Sequence, residues 1–328
     1  MRGAITAFAC VLSSCSSPVP PAVATISPPT TQQPSILPRA APPGYVAPPV
    51  VVSDEAIIRG YTDVERSRAE NAEFLRNNPN VLTATARPYG NTLMWALTFA
   101  KEEHAAALID AGATDAGALR LAAQGGLDSV LEQLLDKGAV LNAGSGALAI
   151  HAAAKAGHVA TVTLLLKRGA VVDARDTEDH DLTALHHAVI ERHVDVVKVL
   201  LEAKASVHTR DTDGQTPLAW AGFAYKPIRM RIYNLHDPDA DLPGSAMTDP
   251  GPAVVVKMLV DAGANVDSRD EDGNTPLLSA VAVGSYRGVE ALLAAKASRR
   301  AKNDAGETAL DLATARRDTS IVEILRAK

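Results

Sequence analysis

The chain has 328 residues and a mass of 34.3 kDa, with 32 Lys plus Arg against 38 Asp plus Glu and only 4% aromatic residues. A net charge of −6 excludes the broad basic footprint that a general grip on nucleic acid requires. No apolar run reaches the roughly 18–20 residues of a membrane span, and the 47% hydrophobic fraction describes a globular bulk whose core is mostly Ala, Val and Leu.

At the N-terminus, Arg2 precedes a ten-residue apolar run, Gly3–Leu12, which has the length of a signal-peptide core and is too short to span. Leu12-Ser-Ser-Cys15 follows, and Cys10 and Cys15 are the only cysteines. The folded part therefore has neither a disulfide framework nor a cysteine-based zinc site. The leader resembles a bacterial lipoprotein signal. The resemblance implies cleavage between Ser14 and Cys15, a diacylglyceryl group on the Cys15 sulfur, and an acyl chain on the new α-amine. Two or three chains anchor stably where one does not. The expected place is the extracytoplasmic side of the cell membrane, or the outer membrane where the organism has one. Signal removal and capping leave no free thiol, which suits an oxidising compartment.

Residues 15–52 read as a lipid-anchored linker. Eleven of the 20 prolines lie between Pro18 and Pro49, and Arg39 is the only charge there. Such a segment buries no core and takes an extended polyproline course, reaching roughly 100 Å at about 3.1 Å per residue.

Residues 53–86 are expected to form degenerate capping helices, with Phe74-Leu75 before Asn78-Pro79 marking a second-helix end. From residue 87 to 328 the sequence repeats. A Gly-Ala or Lys-Ala pair after a Leu-Leu-like pair begins at 112, 138, 169, 204, 263 and 296, spaced 26, 31, 35, 59 and 33 apart. The 59 contains a 26-residue insertion at about 225–250. Leu185, Ala188 and Val189 form one helical stripe, and Val196, Val197, Leu200 and Leu201 form another. A pair of helices this short cannot bury its apolar face alone, whereas stacked copies can. Thr183-Ala-Leu-His-His-Ala188, Thr216-Pro-Leu-Ala-Trp-Ala221 and Thr275-Pro-Leu-Leu-Ser-Ala280 resemble the ankyrin repeat's T-P-L-H-x-A pattern. The resemblance implies seven stacked units, an all-α solenoid of ankyrin type. Shortened turns before residue 148 place well-formed fingers only in the C-terminal half.

The resemblance also implies protein binding through first helices and turns. Trp220 and Phe223 lie at such positions. Asp211, Asp213, Asp270 and Asp272 are expected to make a negative rim for a basic partner. His151, His158, His186 and His193 fall at repeat positions and read as structural, so no metal or other cofactor is expected. His187 falls at a variable position and is expected to face the partner. The insertion supplies further candidates: Tyr225, Arg229, Arg231 and Tyr233, aromatics and arginines of the kind that anchor interfaces. Its Asp237-x-Asp239-x-Asp241 run lacks the glycine and the closing glutamate of a calcium loop. No catalytic motif is present, so the chain reads as non-enzymatic. The expected function is a membrane-anchored protein-binding module, one form of which neutralises an envelope toxin or enzyme. The alternatives are a cytoplasmic ankyrin adaptor with an accidental leader, and a metal-dependent enzyme using the acidic insertion.

Overall fold

A computed structural model describes residues 53–86, 90–142, 144, 148–223 and 251–327. Ser14, Cys15, the Pro-rich linker and Tyr225, Arg229, Arg231 and Tyr233 of the insertion lie outside the described residues. Two helices come first, α1 (Asp54–Thr62) and α2 (Arg68–Asn77), then a two-residue hairpin, β1 (Thr85–Ala86) with β2 (Gly90–Asn91). Seven helix pairs follow: α3 (Thr92–Thr98) and α4 (Glu102–Asp110), α5 (Ala118–Gly125) and α6 (Asp128–Asp136), α7 (Ala149–Ala156) and α8 (Val159–Lys167), α9 (Ala184–Ile190) and α10 (Val194–Glu202), α11 (Pro217–Ala221) and α12 (Gly251–Asp261), α13 (Pro276–Val283) and α14 (Tyr286–Ala294), and α15 (Ala309–Ala315) and α16 (Thr319–Arg326). A second hairpin, β3 (Arg175–Asp176) with β4 (Leu182–Thr183), precedes α9.

The first helices form one unbroken row from α1 through α15, and the second helices another from α2 through α16, each touching the next. One apolar cluster runs between the rows from Tyr61 to Leu325. Alanines at 96, 122, 149, 153, 184, 188, 280 and 313 are wholly buried, and their small side chains let neighbouring helices lie close. This is how a chain with few aromatics fills its core.

The repeat residues set the helix ends. Thr183, Thr275 and Thr308 are N-caps whose hydroxyls accept a backbone N–H three residues on, with Pro276 at the first turn of α13. The marker residues after the second helices take the left-handed conformation. Gly112, Gly138, Gly169 and Gly263 have φ of 90–96°, and the lysines at 204 and 296 have φ of 66° and 67°.

The cap is tied to the first repeat by one buried pair. Tyr61 donates its hydroxyl to the His104 carbonyl at 3.1 Å, and the His104 ring lies edge-on to it with Nε2 at 2.8 Å from the Val64 carbonyl. Sequence reasoning placed well-formed fingers in the C-terminal half only. The β1–β2 hairpin corrects this, because Thr85–Ala86 pairs antiparallel with Gly90–Asn91 ahead of α3, with Gly90 at a positive φ of 79°.

The insertion falls between α11 and α12, and both rows continue past it. Deleting residues 226–249 is therefore expected to leave helicity by circular dichroism and cooperative unfolding intact. Helix packing is least forgiving at Gly288 in α14, where an added Cβ would sit 1.8 Å from the Gly222 carbonyl oxygen. Gly288→Ala is expected to cost about 3 kcal/mol in denaturant unfolding. Gly60→Ala on α1, where a Cβ meets nothing within 4 Å, is expected to raise stability by a few tenths to about 1 kcal/mol.

Candidate binding face

The surface that the repeats assemble is a row of fingers, the turns leading into the first helices. Each finger is built around one side chain. In the finger at 210–215, Asp211 Oδ1 accepts from the N–H groups of Asp213 and Gln215 at 3.0 and 2.8 Å, and Oδ2 accepts from Trp220 Nε1 at 2.7 Å. In the finger at 269–274, Asp270 Oδ1 accepts from Asp272 and Asn274 at 3.1 and 2.7 Å. Asn303 takes the place in the last finger, accepting from the Glu307 N–H at 2.9 Å. Burial holds the Asp211 and Asp270 carboxyls above the ordinary range, against these hydrogen bonds.

Successive fingers are bonded backbone to backbone. Thr212 N–H donates to the His180 carbonyl, Glu271 to Asp213 and Asp304 to Asp272, at 3.1–3.2 Å. Arginines at equivalent places reinforce the row. Arg175 donates to the Arg210 carbonyl at 2.8 Å, and Arg210 donates in turn to the Arg269 carbonyl. In three of the repeats a second series lies four residues after the marker glycine. Asn142 Oδ1 accepts from Val171, Asp173 from Ser206 and Asp267 from Ser298, at 2.9–3.1 Å.

Several expected contact residues are thereby corrected. Asp211 is buried and Asp270 half-buried, so they hold turns and do not form a rim. Phe223 is buried, edge-on to Trp220 at 5.1 Å between centroids, while Trp220 itself stays half-exposed. His187 does not face a partner, because its side chain is only 3% exposed and packs beside Asp176 and against the His151 ring. Asp272 remains at the surface, joined there by Glu178, Glu271 and Asp304, while Asp213 is half-buried and its carboxylate closes no turn. The arginine row had one legible signal, the Arg-Asp start of the turns at 210 and 269, and Arg175-Asp176 shares it. The bonds from 142, 173 and 267 had only an Asx residue at a fixed offset to announce them.

The structural histidines are where the repeat predicts. His151 Nε2 lies 2.7 Å from the Ala174 carbonyl. The ring nitrogens of His158 and His193 lie 3.0 and 3.1 Å from the Gln124 and Lys155 carbonyls of the preceding repeats. There they cover Gly126 and Gly157, where an added Cβ would lie 2.8 and 2.6 Å from the rings. His186 Nδ1 accepts the Thr183 N–H at 3.1 Å, completing a capping box.

Residues 93–176, 119–211, 177–224 and 246–328 match the family described as Ankyrin repeats (3 copies). The chain belongs to the ankyrin-repeat family. Ankyrin repeats are in general protein–protein interaction modules, and the family is typically non-catalytic.

Burial pushes the His186 imidazole down to about 3, against the pull of the Gln215 backbone. The unfolded chain protonates this ring near pH 6.5 and the folded chain does not. Between those values the unfolded state binds the extra proton, so stability falls as pH falls. The expected slope from this site is up to about 1.4 kcal/mol per pH unit. Chemical denaturation from pH 7 to 4.5 should show the slope in the wild type and lose it in His186→Gln, the difference between the two cancelling the carboxylates.

Proposed function

We propose that the protein is a lipid-anchored, non-enzymatic binding module on the extracytoplasmic face of a bacterial membrane, and that it captures a protein with a basic surface. The observation that carries the reading is the row of fingers braced by backbone bonds, with Glu271, Asp272 and Asp304 exposed on it and half-buried Asp213 beside them. Arg175 and Arg210 of the same fingers turn onto carbonyls, and Arg269 stands 3.7 Å from Asp304, so Glu271 and Asp272 carry the acidic character of the edge. Half-exposed Trp220, fixed to Asp211, supplies a rigid aromatic anchor beside them. The leader ending at Cys15 and the Pro-rich stretch support a tether that holds this edge away from the bilayer. Neutralising an envelope toxin or enzyme is the form of capture that such a tether serves directly.

The first test is the intact mass of the protein extracted from bacterial membranes. The expected mass begins at Cys15 and carries diacylglyceryl and acyl groups, and Cys15→Ser is expected to leave an uncleaved, unlipidated chain. A wild-type chain starting at Met1 in the soluble fraction would overturn the anchor. The second test is kinetic. Asp213→Lys, Glu271→Lys and Asp272→Lys together should slow association with the partner crosslinked at the membrane by tenfold or more at low salt, with little difference at 0.5 M salt. Equal rates at low salt would remove the acidic edge from recognition.

A further inference from the structure

The finger at 175–183 departs from its neighbours at one point. His187 occupies the place that Trp220 fills in the next repeat, four residues past the N-cap threonine. There the indole N–H satisfies its finger aspartate at 2.7 Å. Here His187 Nε2 stands 3.5 Å from Asp176 Oδ2, an ion-pair distance rather than a hydrogen bond. His187 Nε2 is buried without a hydrogen-bond partner, and so is Asp179 Oδ1. Asp176, Asp179 and His187 each offer a ligand atom, and the three lie within 4.8 Å of one another. An indole nitrogen can only donate a proton, whereas an imidazole nitrogen offers a lone pair.

We infer that Asp176, Asp179 and His187 form a binding site for a divalent transition-metal cation of the zinc class. One imidazole and two carboxylates make a nitrogen–oxygen donor set suited to Zn2+, which takes three protein ligands and leaves a fourth position for water. Tetrahedral bonds of about 2.1 Å place donors about 3.4 Å apart. The Asp176–His187 pair already stands at 3.5 Å, so closing the site needs only a shift of the Asp179 side chain. The carboxylates are oriented from behind, as metal ligands are. Asp176 Oδ1 accepts the Glu178 N–H at 3.0 Å, and Asp179 Oδ2 faces the Lys155 ammonium of α7 at 3.2 Å. The His151 ring closes the side next to His187, with centroids 5.8 Å apart. A bound cation would clamp the finger to α9. Among the described residues Lys155 faces Asp179, and it competes with the metal for that carboxylate.

The test is calorimetric titration of ZnCl2 into the full chain with Cys10→Ser and Cys15→Ser, which removes the only thiols. One Zn2+ per chain is expected. Asp179→Asn and His187→Gln should each weaken binding at least tenfold, and Lys155→Met should tighten it at least threefold. Asp179 is half-buried, less enclosed than His187, so its variant reports on the site even if His187→Gln fails to fold. Co2+ should give visible d–d absorption that Asp179→Asn diminishes. Absence of saturable binding would overturn the site. Zn2+ binding of undiminished affinity in folded Asp179→Asn would do the same, by assigning the metal to surface histidines.

Discussion

Each helix pair here is about two turns deep and apolar on one side, so it has nothing of its own to bury that side against. Wholly buried residues such as Leu131, Leu165 and Leu200 on the second helices, and Ala122, Ala153 and Ala188 on the first, are buried because a neighbouring repeat lies on them. Stability is then a sum of pairwise interfaces along the row. Two further features follow from that dependence. The row needs a first unit that is not itself an ordinary repeat, and α1 with α2 fills that place through Tyr61 and His104. The row also tolerates an excursion wherever the chain leaves and returns without parting the helices, which is the situation between α11 and α12.

Stacking alone would leave the fingers as independent loops. Two hydrogen-bond series prevent that. On the finger side, backbone groups of one turn bond to those of the next, and Arg175 and Arg210 each reach the following finger's carbonyl. Just after the second helices, Asn142, Asp173 and Asp267 bond the next unit's backbone. The glycine-covering histidines add a third stitch, from the start of one second helix to the end of the previous first helix. Every stitch joins a side chain or backbone group to a backbone group one repeat away, so spacing between units is fixed independently of which side chains lie at the surface.

The fold was legible because its signals are local and repeated: N-cap threonines, left-handed markers and two apolar stripes per unit. The site was less so. A finger aspartate looks the same in sequence whether it points at solvent or into its own turn, and only the three-dimensional turn shows that Asp211 is enclosed while Asp213 is not. His187 looked variable because the repeat pattern does not prescribe it, yet position within a helix decides burial, and Asp176 lies across from it. The β1–β2 hairpin was missed because the shortened later turns suggested well-formed fingers only in the C-terminal half. Residue counts between markers report lengths, not the pairing of Thr85–Ala86 with Gly90–Asn91.

The charges on the fingers divide by what the fold requires of them. Asp176, Asp211, Asp270, Arg175 and Arg210 are held by turn and inter-turn bonds, so changing them alters the scaffold before it alters any surface. Asp213, Glu271 and Asp272 lie beside these residues, and their carboxylates close no turn in the described structure. The outward part of Trp220 is in the same condition, with its N–H engaged and its ring face half-exposed. A scaffold whose geometry is set by buried aspartates and backbone bonds leaves such positions open to variation at small cost to stability. In the proposed capture role, partner discrimination would come from them, through acidic groups that steer a basic surface inward and an aromatic ring held rigidly enough to meet it.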